Sequence, residues 1–87
     1  MLNAREKLAI LIHPEITQGE RTALESLWGI GTEFYTYLFQ CFKFATESER
    51  KNLAASFPQE AEAYEAWTNG KLRIKMDQIV RNMEAPA

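Results

Sequence analysis

A helical pattern of unusual apolar width runs from Thr22 to Ala45, interrupted only by Gly29 and Gly31. On a helical wheel, one apolar stripe is centred near Gly31 and consists of Leu24, Leu27, Trp28, Phe34, Tyr35, Leu38 and Phe42. Further apolar residues widen this stripe to roughly 220° of the circumference. They are Ile30, Tyr37, Phe39, Cys41 and Phe44. Such a helix must be wrapped by several neighbours or must present part of its surface to a partner.

The two glycines divide this stretch, and two structural interpretations compete. A kink or break at Gly29 and Gly31 would turn the stretch into a helix pair, whereas the missing side chains could instead permit the close approach of another helix. We favour the kink or break, because Gly31 lies on the apolar face while Gly29 lies off its centre. The two glycines give almost no support to a dinucleotide-binding loop, because the third glycine is absent and no strand precedes the pattern.

Capping signals mark the helices before this stretch. Asn3 is a plausible N-cap for a first short helix, which Pro14 ends after Ile12. Two overlapping capping-box patterns follow, one from Thr17 to Glu20 and one from Thr22 to Glu25. We expect the second helix to start at Thr22, because Gly19 inside a helix would cost about 1 kcal/mol relative to alanine.

Similar signals divide the C-terminal half into three helices. A third capping box begins at Thr46, Pro58 suits the first turn of the next helix, and Gly70 supplies a left-handed stop. The middle helix should present Ala61, Tyr64 and Trp67 inward. The last helix should run from about Lys71 to Met83, with Leu72, Met76, Ile79, Val80 and Met83 on one face. A strand over residues 71–76 is the weaker alternative, because no second alternating run precedes the Asn-Gly turn.

The sequence therefore predicts an all-α fold, a compact bundle of four or five short helices around a central aromatic-rich helix. The 87 residues suffice for one domain, so we expect a single domain over 1–87 with a frayed tail at 84–87. Cys41 is the only cysteine, and small secreted domains usually depend on disulfides, which favours a cytoplasmic protein. No segment approaches the roughly 20 apolar residues of a membrane span.

Residues with catalytic or metal-binding chemistry are sparse. His13 is the only histidine, and its place before Pro14 indicates a surface turn rather than a catalytic base. One cysteine and one distant histidine cannot supply a usual zinc ligand set. Cys41 is most simply a small buried apolar residue, and the acidic cluster near Glu62 a solvated helix start. We therefore expect no enzyme activity, no cofactor and no metal.

The wide apolar face predicts a partner-binding surface. Ile30, Tyr37 and Phe44 recur every seven positions, as an edge facing another helix would. Three short helices of modest apolarity would otherwise have to cover the whole face within a monomer. We assign to the surface these three residues and Ile74, which falls opposite the apolar face of the last helix. The predicted function is a protein-interaction module, either a homodimer or an accessory subunit of a larger protein.

A nucleic-acid accessory protein is the alternative, carried by Lys71, Arg73, Lys75 and Arg81 in the last helix. These side chains fall on both flanks of the apolar stripe, so they do not line up toward one groove. The net charge of −2 also gives no broad basic field. Asp77 stands four residues from both Arg73 and Arg81, which predicts local ion pairs on a solvated face.

Overall fold

Six α-helices form the fold in a computed structural model that describes residues 2–84. They are α1 (Ala4–Ile12), α2 (Gln18–Leu27), α3 (Glu33–Phe44), α4 (Glu47–Ser56), α5 (Pro58–Thr68) and α6 (Lys71–Glu84). The predicted all-α bundle of short helices is confirmed, and residues 71–76 are helical rather than extended. Of the tail predicted to fray, Glu84 ends α6 and residues 85–87 lie outside the described range.

The helix count exceeds the expected four or five because the aromatic-rich stretch is broken rather than kinked. Helix α2 ends at Leu27, and Gly29 adopts a left-handed φ of 74°. The carbonyl of Glu25 then accepts hydrogen bonds from the amides of Ile30 and Gly31, at 2.9 and 3.0 Å. These bonds satisfy the end of α2 and turn the chain away from its axis. The break favoured from the glycine positions is confirmed.

Helix α2 begins earlier than expected, with Thr17 as its N-cap. The Thr17 hydroxyl accepts a hydrogen bond from the Glu20 amide at 3.1 Å, and the Glu20 carboxylate accepts one from the Thr17 amide at 2.9 Å. The predicted start at Thr22 is wrong because Gly19 has a packing role. A Cβ atom at Gly19 would overlap the backbone carbonyl of Gln59 at the start of α5. The glycine that weakens α2 as an isolated helix therefore permits α2 to approach α5.

Helix α5 has the most helix neighbours, since it packs against α2, α3, α4 and α6. The aromatic-rich α3 instead packs chiefly against α2 and α5, so it does not occupy the centre. On α5, Ala63 is buried, Ala61 and Tyr64 are half-buried, and Trp67 is exposed. The inward face expected for α5 is therefore correct only in part. The helices together form a body of 48 × 22 × 21 Å.

The apolar core has two parts. The larger part joins α1, α2 and α6 and contains Ile10, Ile16, Leu24, Leu72, Met76 and Ile79. The predicted inner face of α6 is thus confirmed. The second part lies where α3 meets α5, and there the buried ring of Phe42 stacks on Tyr64 with centroids 5.6 Å apart. Arg50 of α4 connects α4 to this part of the core, because its Nε donates a hydrogen bond to the Phe42 carbonyl at 3.0 Å.

A partly buried ion pair connects α2 with α6. The Glu20 side chain is almost fully buried, and its Oε1 lies 2.8 Å from the Nζ of Lys75. The same ammonium donates to the Glu15 carbonyl at 2.8 Å. Burial raises the pKa of Glu20, but the hydrogen bonds and the charge of Lys75, together with the Thr17 hydrogen bonds, outweigh it and leave the pKa below the usual 4.5. The charged carboxylate therefore stabilises the fold.

We predict that Gly19→Ala lowers the free energy of unfolding by about 1–3 kcal/mol, because the added methyl group separates α2 from α5. Helix propensity alone predicts the opposite sign, a gain of about 1 kcal/mol. Urea unfolding followed by circular dichroism measures the difference. Asn52→Ala is the matched control, because Asn52 is exposed within α4 and its substitution should be neutral or slightly stabilising. A stabilised Gly19→Ala variant would contradict the close contact.

Glu20→Gln should destabilise the protein by about 1–2 kcal/mol at neutral pH, because a charged hydrogen bond is lost. The folded-state pKa of Glu20 is lowered, so its stabilisation is present above the unfolded-state pKa and is lost as the pH falls through the folded-state pKa. The stability difference between wild type and variant should therefore be constant above about pH 6 and should shrink below about pH 4.5. Unfolding measured from pH 3 to pH 8 tests this profile.

Glu49→Gln is the matched control for the ion pair. Glu49 holds the same position in the Thr46 capping box of α4, but it is exposed, and within residues 2–84 no lysine forms an ion pair with it. Its loss should affect stability less than Glu20→Gln does. Equal effects of the two substitutions would show that capping, and not the contact with Lys75, makes Glu20 stabilising.

Candidate functional site

Two apolar seams run along different sides of α3. The inner seam consists of Tyr35, Leu38, Phe39 and Phe42, and Leu38 and Phe42 are buried. The outer seam consists of Phe34, Tyr37, Cys41 and Phe44, and every member is exposed. The exposed fractions of its aromatic residues are 57% for Phe34, 62% for Tyr37 and 77% for Phe44. The outer seam is therefore a continuous apolar surface that residues 2–84 leave uncovered.

The outer seam is open because of where the neighbours of α3 lie. Helices α2 and α5 pack against the inner seam, and α4 packs chiefly on α5 instead of folding back over α3. At the N-terminal end of the seam, the Phe34 ring lies 6.0 Å from the half-buried ring of Phe57. At the other end, the Nζ of Lys43 lies 5.5 Å from the centroid of the Phe44 ring.

The residues predicted to bind a partner are all exposed, but they do not form one patch. Tyr37 and Phe44 share the outer seam, and Ile30, 63% exposed, lies in the loop before α3. Ile74 is 60% exposed on α6, which packs against α1 and α5, so it belongs to another surface. The chain break at Gly29 to Gly31 also removes Ile30 from the helical phase of Tyr37 and Phe44.

Two members of the outer seam were missed or misplaced by the sequence interpretation. Cys41 is exposed, so the expectation that it is buried is wrong. Phe34 was placed in the core stripe, because the wheel treated residues 22–45 as one helix. Once α3 is taken as a helix of its own, the spacing of Phe34, Tyr37, Cys41 and Phe44 by three, four and three residues identifies the seam.

A separate cleft of about 490 Å³ opens between α2, α3, α5 and the first turn of α6. Its walls are mainly apolar, and its polar lining includes Thr36, Gln40 and Lys43 from the polar side of α3. Its volume is typical of small-molecule pockets, and its walls suit an apolar group. The cleft lies along the polar side of α3, and Lys43 marks its border with the outer seam, because the Lys43 ammonium lies near the Phe44 ring.

The basic residues of α6 differ in their availability. Lys71, Arg73 and Arg81 are exposed, whereas Lys75 is held by Glu20 and by the Glu15 carbonyl. The predicted ion pairs of Asp77 with Arg73 and Arg81 are wrong, because the ion pair within 4.0 Å in the described part of the chain is that of Lys75 with Glu20. Of the four cations proposed to bind nucleic acid, Lys75 is therefore held within the fold.

The remaining candidate residues have structural positions. His13 caps the end of α1, and its Nδ1 accepts a hydrogen bond from the Glu15 amide at 3.1 Å. Among residues 2–84, no three His, Cys, Asp or Glu side chains lie close enough together to hold a metal ion. None of the helices described here has the length and apolarity needed to cross a membrane.

Comparisons of the chain with protein-family models, with curated proteins and with solved structures give no match. A function can therefore be inferred only from the geometry of the chain itself, in which the outer seam of α3 is a large exposed apolar surface.

Proposed function

We propose that the protein is a non-enzymatic interaction module that docks through the outer seam of α3, either on a second copy of itself or as an accessory subunit on a larger protein. The observation that supports this proposal is the exposure of Phe34, Tyr37, Cys41 and Phe44 along one side of a single helix. Aligned apolar residues of this kind are typical of interfaces, and Tyr and Phe are enriched there.

The composition of α3 is hard to explain by the stability of the monomer. Aromatic residues are poorer helix formers than Leu, Glu or Lys. Burial of one large apolar side chain contributes about 1.5–3 kcal/mol, and the side chains of Tyr37 and Phe44 retain most of their exposure in the monomer. Their apolar surface becomes stabilising when a partner covers it. The seam also has defined ends, near Glu33 and Lys43, as a docking helix would.

We further propose that the protein acts in the cytoplasm. Cys41 lies in the middle of the outer seam with its side chain exposed. An interface built around a free thiol is best kept in a reducing compartment, because oxidation would add polar groups to an apolar contact.

A photoreactive benzoylphenylalanine in place of Phe34 should give one discrete covalent adduct when the chain is irradiated in the cells that produce it. The adduct is identified by mass spectrometry and should contain either a second copy or one defined larger protein. The double substitution Tyr37→Glu, Phe44→Glu should abolish it, because two charges within an apolar interface weaken binding by at least about 100-fold.

Leu8→Glu, Ile12→Glu is the matched control. These residues are also large, apolar and exposed, but they lie on α1. The control variant should form the same adduct as wild type. Circular dichroism should show unchanged helicity for both double variants. If the Tyr37→Glu, Phe44→Glu variant unfolds, the outer seam belongs to the core and the proposal is wrong.

A further inference from the structure

We infer that the partner of the outer seam is a second copy of this chain, which binds antiparallel about a twofold axis at the middle of α3. This inference rests on the proposed function and specifies its partner. Two properties of α3 support it, the symmetry of its residue spacing and the charges at its two ends, and the area that the outer seam leaves uncovered limits its affinity.

The spacing of the outer seam reads the same in both directions. Phe34, Tyr37, Cys41 and Phe44 are separated by three, four and three residues. In an antiparallel pair centred level with Phe39, Phe34 lies opposite the partner's Phe44 and Tyr37 lies opposite the partner's Cys41. A twofold interface requires this self-complementarity, because the same surface serves on both chains. Each large tyrosine then meets a small cysteine, so that the central layers fill evenly.

The charges of α3 favour the antiparallel direction. Glu33 begins the helix beside Phe34, and Lys43 ends it with its ammonium near the Phe44 ring. An antiparallel pair brings Glu33 to the same end as the partner's Lys43, and it also places the helix dipoles in opposition. A parallel pair would bring like charges together at both ends. Opposite charges at the rim of an apolar contact set orientation more than affinity.

The uncovered aromatic area limits the affinity of such a dimer. A fully exposed aromatic side chain offers about 150–250 Å² for burial. The exposed parts of Phe34, Tyr37 and Phe44 therefore give about 400 Å² on each chain and about 800 Å² in the pair. Stable specific interfaces bury at least about 1,000 Å² in total, and smaller contacts are commonly transient. We expect a dissociation constant in the high micromolar range.

Charge reversal at the two ends of α3 tests the direction of pairing. Glu33→Lys and Lys43→Glu should each raise the dimer dissociation constant about 3- to 10-fold, because each puts like charges together twice in the dimer. The double substitution Glu33→Lys, Lys43→Glu should return it to near the wild-type value. Both substitutions are unfavourable for the dipole of α3, so restored association in the double variant cannot come from a better helix. Sedimentation equilibrium of the full chain measures the constants.

The outcomes separate this inference from the proposed function. Weakened single variants with a restored double variant support the antiparallel pair. If the charge substitutions leave the dissociation constant unchanged, or if the double variant dimerises more weakly than the single variants, the antiparallel arrangement is wrong. The outer seam would then remain a docking surface. A wild-type chain that stays monomeric up to millimolar concentration would overturn self-association. In that case, a covalent adduct of the photoreactive chain with one larger protein would still uphold the proposed function.

The lone cysteine gives a second measurement on the unmodified chain. Cys41 is exposed in the monomer and would lie opposite the partner's Tyr37 in the dimer. Alkylation by N-ethylmaleimide should therefore slow at least about 10-fold as the chain concentration rises from far below the dissociation constant to far above it. A dimer whose Cys41 reacts at the monomer rate would place the interface elsewhere and would overturn the inference.

Discussion

The close backbone approach of α2 to α5 at Gly19 is the contact on which the rest of the arrangement depends. Helix α5 is also packed by α3, α4 and α6, so the position of α2 against it relates the N-terminal part of the chain to the C-terminal part. Three residues at the start of α2 contribute to this contact or to the helix end beside it. Gly19 permits the approach, Thr17 caps the helix, and Glu20 joins both the cap and the ammonium of Lys75 in α6.

The exposure of the outer seam follows from this arrangement. Because α2 and α5 are held together, they present a shared surface that α3 covers with its inner seam. The N-cap at Thr46 then starts α4 almost directly after α3, and α4 returns along α5. No described helix is left to cover the other side of α3. The wide apolar circumference is thus divided between a core contact and an uncovered surface, and the proposed interaction uses the second.

Local signals in the sequence predicted much of the secondary structure. Capping residues at Asn3 and Thr46, the proline at 58 and the glycine at 70 mark real boundaries, since each acts through atoms within about one turn. The apolar face of α6 was also predictable, because its periodicity is unbroken. The break near Gly29 was anticipated from the same kind of local chemistry.

Contacts between distant residues account for the wrong expectations. The sequence shows Gly19 only as a weak helix residue, whereas the structure shows that α5 packs against it. Cys41 was predicted to be buried, but its exposure depends on where the neighbours of α3 lie. The sequence predicted that Lys75 is a free cation and that Asp77 forms ion pairs with Arg73 and Arg81. The partner of Lys75 is Glu20, 55 residues away in sequence. Helical spacing places such side chains on a face but cannot state which face another helix will cover.

The sequence by itself determined that the chain is helical, where most helices begin and end, and that α3 carries more apolar surface than one side of a helix can bury. Helix caps, turn residues and apolar periodicity are local, so they act before any tertiary contact forms. Only the tertiary structure decided which part of that surface lies in the core and which lies in the outer seam. That division depends on the relative placement of α2, α4 and α5, which packing between distant segments sets.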